Sequence, residues 1–102
     1  MVLGHEGCGA VGAALRTRDD GQLHHSRIQL LVEEILPGLP QFDPQLSLAV
    51  RLNQAVESNV HWTIAQILST PEGRTREAEG QLKIVGAIYE MASGRVRFLK
   101  TK

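Results

Sequence analysis

The sequence predicts an α/β domain whose elements follow in the order β-α-α-α-β-β, with a small, mostly parallel sheet and a C-terminal hairpin. Three observations carry that expectation. A short apolar strand at the start runs into a glycine-rich turn. Two central segments repeat apolar residues at helical spacing. Residues 82–89 are almost continuously apolar, as a strand buried on both faces is. The chain has 102 residues, enough for a single domain, 1–102, with little surplus core.

Each element has its own signal. Residues 1–4 read as the end of an apolar strand. Residues 10–16 are alanine-rich and favour a helix whose first turn holds Cys8 and Gly9, and residues 17–21 then read as a loop. A second helix over 24–36 places Ile28, Leu31, Val32, Ile35 and Leu36 on one face, and Pro37 ends it. Asp43-Pro44 reads as an N-cap followed by proline at the first helical position, opening a long helix toward Leu68. Residues 69–73 break that helix. A parallel return from the first strand to 82–89 needs a helical crossover, which these helices supply. Ser93-Gly94 then turns the chain into a last strand over 95–99, which forms the hairpin.

Composition excludes several classes. Eleven basic residues balance eleven acidic ones, so no net charge advertises nucleic acid or an anionic membrane. The basic tail from Arg95 alternates with apolar residues, as the wet face of a lysine- and arginine-guarded edge strand does. No apolar run approaches the roughly 18 residues of a membrane span. A single cysteine cannot form an internal disulfide, and with no secretory leader pattern the expected compartment is the cytoplasm.

The chemistry concentrates in Gly4-His5-Glu6-Gly7-Cys8-Gly9-Ala10-Val11-Gly12. Gly7 to Gly12 spells G-x-G-x-x-G, the dinucleotide fingerprint. That reading requires a second strand ending in Asp or Glu about 20 residues on. Counting forward lands on Val32-Glu33-Glu34, inside an amphipathic helix, so the context fails. His5-x-x-Cys8 offers an imidazole and a thiol, both good zinc donors, at the positive end of a helix dipole. Zinc takes four ligands, or three and a water, so the pair alone is also consistent with a buried cysteine beside a hydrogen-bonded histidine.

The same stretch resembles the second metal motif of the β-class carbonic anhydrases. Asn59-Val60 on the long helix, residues 80–89 ending in Tyr89, and Ser93-Gly94-Arg95-Val96 resemble later segments of that family, in order. The resemblance implies a truncated β-carbonic-anhydrase-like fold, matching the C-terminal portion of a family member. It also implies the family reaction, reversible hydration of carbon dioxide to bicarbonate at zinc, a lyase activity. His5 and Cys8 then correspond to metal ligands. The family's Cys-x-Asp-x-Arg motif, which brings a second cysteine and a catalytic Asp-Arg pair, has no counterpart here. Asp19, Asp20 and Asp43 all lack the Asp-x-Arg context. No catalytic residue is therefore assigned, and the chain alone is expected to be inactive. The alternative is a non-catalytic zinc-binding or oligomerisation module with the same fold.

Zinc is expected to be absent or shared between two chains, whose His5 and Cys8 together would make a closed Cys₂His₂ set. A homo-oligomer, a dimer in the simplest case, is expected because the first strand leaves an unpaired edge at Val2-Leu3. The remaining polar candidates read as structural. His24 and His25 are expected as solvated residues in a helix's first turn, and His61 as exposed. Tyr89 is expected in the core with its hydroxyl hydrogen-bonded, and Trp62 as a packing or interface residue.

Overall fold

Helical capping and glycine placement decide where the elements begin and end. The computed structural model describes residues 1–100. Its elements run β1 (Val2–His5), α1 (Gly9–Asp20), α2 (Ile28–Ile35), a 3-10 turn at Leu36–Gly38, α3 (Leu48–Ser69), α4 (Pro71–Ala78), β2 (Gly86–Tyr89) and β3 (Val96–Phe98). β2 is central, parallel to β1 and antiparallel to β3, so the sheet is mixed and β1 is one of its edges. The expected α/β order is present, with a fourth helix added. Thr101 and Lys102 of the basic tail lie outside the described residues.

Four helix boundaries differ from expectation, each for a local reason. α1 continues through 17–20 and stops only at Gly21, whose φ of 68° allows the left-handed cap. α2 starts at Ile28, after Ser26 with φ 70°, so His24 and His25 precede the helix. Asp43 does not cap α3. Its Oδ1 accepts from the Gln45 N–H at 2.9 Å, a local turn, and Ser47 Oγ caps α3 by accepting from the Val50 N–H at 3.2 Å. The break expected over 69–73 narrows to Thr70 alone, because α3 runs through Ser69 and Pro71 already starts a new helix. Thr70 Oγ1 accepts from the Gly73 N–H at 3.0 Å and opens α4. Thr70→Ala is expected to cost about 1 kcal/mol of stability, measured by chemical denaturation.

The core lies between the helices and one face of the sheet. Val11, Ala14 and Leu15 of α1, Val32 of α2, Val56 and Val60 of α3, and Ile88 of β2 are its buried centre. α3 crosses the sheet closely because two strand residues have no side chain. A Cβ on Gly4 would stand 2.8 Å from Val60 Cγ2, and one on Gly86 2.8 Å from Val60 Cγ1. Val60 thus seats between β1 and β2. Trp62, expected as a packing residue, donates its indole N–H to the Glu34 carbonyl at 3.1 Å and covers Gly38. Arg97 of β3 reaches back to Glu57 of α3 at 2.9 Å.

The other sheet face is open. Because side chains alternate along a strand, Leu3, His5, Tyr89, Val96 and Phe98 point away from α3. Leu3 is 49% and Phe98 65% exposed. No helix of the described residues is long and apolar enough to cross a membrane.

Candidate metal centre

The site candidates sit where β1 turns into α1. β1 stays paired with β2 through His5, opposite Tyr89, and the Glu6 N–H donates to the Tyr89 carbonyl at 3.0 Å. Gly7 then reverses the backbone at φ 68°, a conformation that L side chains rarely adopt. This turn delivers Cys8 to the N-cap of α1, where its carbonyl accepts from the Gly12 N–H at 3.0 Å. Both candidate side chains therefore lie at the carboxyl end of a parallel strand pair, where ligand sites of open α/β sheets gather.

The two donors differ in surroundings. His5 is exposed, and its Nδ1 lies 3.0 Å from the Glu6 carbonyl. A carbonyl partner at Nδ1 fixes the ring and leaves Nε2 as the donor atom, the usual arrangement behind a metal-binding histidine. Cys8 is a half-buried free thiol, packed against the core and unused as a helix cap. Soft sulfur and imidazole nitrogen suit zinc in kind. In number they fall short: among the described residues no group of three His, Cys, Asp or Glu side chains could hold a metal.

The other sequence candidates stand elsewhere. His24 is half-buried rather than solvated, with Nε2 3.2 Å from the Ala13 carbonyl, while His25 is exposed as expected. His61, expected to be exposed, is half-buried beside Ile64 and Leu68 because the segment after α4 folds against that side of α3. Tyr89 is not a core residue. It lies half-buried on the open sheet face, with its hydroxyl toward the Gly94 turn and without a hydrogen bond among the described residues.

One carboxylate–guanidinium cluster escaped the sequence reading. Asp19 meets Arg18 Nε at 3.2 Å and Arg51 of α3 at 3.6 Å. Arg18 also lies over the Phe42 ring, 5.4 Å from its centroid, and donates to the Leu39 and Pro40 carbonyls. No local pattern marks the Asp19–Arg51 pair, whose members are far apart in sequence. Asp19 is eleven residues along α1 from Cys8, roughly 16 Å at helical rise, so this pair cannot serve a centre at His5 and Cys8.

Comparison with known proteins agrees with the family resemblance. The family model for carbonic anhydrase matches residues 1–96. The chain is 34% identical over 96 residues to Carbonic anhydrase 2 of Mycobacterium tuberculosis, an alignment covering 93% of this chain and 45% of the relative. It is 32% identical over 97 residues to the Carbonic anhydrase of Mycolicibacterium smegmatis, covering 94% and 46%. Among solved structures, one of two tetrameric β-carbonic anhydrases of Sordaria macrospora superposes with a TM-score of 0.78 at 22% identity, over 97% of this chain and 50% of that one. The β-carbonic anhydrase CafD of Aspergillus fumigatus superposes with a TM-score of 0.73 at 22% identity, over 96% and 54%. These superpositions define the fold class, an α/β domain of the β-carbonic anhydrase type. The chain belongs to the β-class carbonic anhydrase family. It spans about half the length of the curated relatives it matches.

Proposed function

We propose that this chain carries part of the metal site of a β-class carbonic anhydrase, with His5 and Cys8 as its zinc ligands. The reaction of the family is reversible hydration of carbon dioxide to bicarbonate. The observation that carries this reading is the strand-to-helix turn at Gly7, which brings an imidazole and a free thiol to the carboxyl end of the parallel strands. Bound there, zinc would act as a Lewis acid, lowering the pKa of its water to about 7. The chain's own contribution is to hold that ion. His5 would present Nε2 while Glu6 fixes its ring, and Cys8 would present its thiolate at the helix N-terminus. A compartment as reducing as the cytoplasm would keep this thiol free.

An open catalytic zinc site needs three protein ligands and a water. His5 and Cys8 are two, so the remaining ligand and the Asp-Arg pair must come from another polypeptide segment. The second reading, a non-catalytic zinc-binding or oligomerisation module, is favoured by the lack of any third donor beside this pair among the described residues. It is favoured also by the exposed Leu3, Val96 and Phe98 on one sheet face, which a second copy would cover in a homo-oligomer.

Elemental analysis after zinc-replete purification, with sedimentation on the same sample, tests the ligand assignment. A dimer joined through a shared Cys₂His₂ site should carry half a zinc per chain. Cys8→Ser and His5→Ala should each lose the metal while keeping the circular dichroism of the parent. Full retention of zinc by both variants would remove these residues from the site.

A further inference from the structure

A cavity of about 300 Å³ opens at the opposite end of the sheet from His5, where the chain enters β2. Its walls are half-buried apolar side chains: Ile64 and Leu68 of α3, Val85 ahead of β2, and Leu99 after β3. The rim carries exposed Lys83, Lys100 and Glu77, with half-buried His61 beside them. Two ammonium groups against one carboxylate leave the rim positive. Among the described residues, the ion pairs involve only arginines, so neither lysine is already matched to an acid.

This cavity serves no step of the carbonic anhydrase reading. Val85 and Gly86 stand level with Val2, at the amino end of the parallel strands, whereas His5 ends them. Carbon dioxide and bicarbonate also have no tail to fill an apolar pocket. A pocket at the small end of the ligand-site range, apolar inside with a few charged groups converging at the mouth, fits a small amphiphile. The lysines choose its head group.

We propose that this cavity binds a medium-chain monocarboxylate. The alkyl tail lies among Ile64, Leu68, Val85 and Leu99, and the carboxylate meets Lys83 and Lys100 at the rim. A cationic amphiphile is disfavoured by the same two lysines, and a neutral one gains only the tail contacts.

The test is a ¹H–¹⁵N titration of the full chain with sodium octanoate, compared with butanoate, octanol and octylammonium. Octanoate should give saturable shifts at the amides of Ile64, Val85 and Leu99 and none at His5 or Cys8. Affinity should fall about fourfold for each methylene withdrawn from the pocket. A Lys83→Glu, Lys100→Glu double variant should bind octanoate about 5- to 10-fold more weakly, with its other resonances unmoved. A Lys83→Arg variant should bind like the parent. Cys8→Ser should also bind octanoate unchanged, so failure of the zinc assignment leaves this site standing, and the reverse. Equal binding of octylammonium, an unaffected double variant, shifts centred on Leu3 and Phe98, or no saturation within octanoate's solubility would each overturn the proposal.

Discussion

Supplied with zinc in a stopped-flow assay, the chain alone is expected to hydrate carbon dioxide at least about a thousandfold more slowly than a complete enzyme of the family. Zinc carbonic anhydrases can turn over on the order of 10⁶ times per second. Two absences act against this chain. Losing groups that orient the metal ligands costs roughly 10- to 100-fold. Losing a positioned proton-transfer group costs roughly 10²- to 10⁴-fold. Together they predict a rate at least about a thousandfold below a complete enzyme. A four-ligand site formed between two copies would be slower still, because it leaves no position for water. Adding a polypeptide fragment that carries Cys-x-Asp-x-Arg should restore turnover, by returning a ligand and the orienting pair together. That rescue should vanish in Cys8→Ser. Rapid turnover by the unsupplemented chain, abolished by the same substitution, would show that His5 and Cys8 recruit partners not recognised in this fold.

The second large effect concerns the contact of α3 with the sheet. Gly4→Ala puts a methyl group 2.8 Å from Val60 Cγ2, with Val56 Cγ1 at 3.2 Å. Both neighbours are short, branched and buried, so neither can swing away. Overpacking of this kind costs about 1–3 kcal/mol. In a domain of this size each kcal/mol lowers the melting temperature by roughly 4–8 °C. Gly86→Ala meets Val60 from the neighbouring strand at the same distance and should cost a similar amount. The decisive measurement is a double-mutant cycle. Val60→Ala is destabilising alone, but in its background either glycine substitution should lose much of its penalty, because the clashing methyl is gone. Strict additivity would mean that the strands, not Val60, resist the added methyl.

The residues reveal part of this structure before folding and hide the rest. Helix existence was readable because the apolar positions of α2 and α3 repeat at helical spacing, and the long run before Tyr89 announced a strand. Helix ends were less readable, since competing caps sit close together. Asp43 and Ser47 both suit an N-cap, but the Asp43 carboxylate closes a local turn with Gln45 and Ser47 caps α3. Thr70-Pro71 marks the end of one helix and the start of another, so α4 stayed hidden in the expected break. The strand over 82–89 is shorter than its apolar run, since the ladder begins only at Gly86, and 82–85 line a cavity ahead of it. At the candidate site, His5 and Cys8 stood out because the donors lie three residues apart. The Asp19–Arg51 pair did not, because it depends on how α1 packs against α3. The burial of His61 is hidden for a similar reason: it comes from a segment more than twenty residues further on.

The pairing of Val2 with Gly86 also governs how this chain folds. About 84 residues separate the partners, so the parallel ladder closes one of the longest loops this sequence can make. Its entropy must be lost before any hydrogen bond of that ladder forms. Local helical contacts in α1, α2 and α3 should therefore precede the sheet, and sheet closure should set the refolding rate. On a ribosome adding 5–20 residues per second, β1 would wait on the order of 4 to 17 s for its partner strand. During that interval Val2 and Leu3 lack their β2 partners Gly86 and Ala87, and their backbone is open to any other strand that reaches them first. Yield in cells should thus depend on translation speed and chaperone supply more steeply than the folded-state stability alone implies.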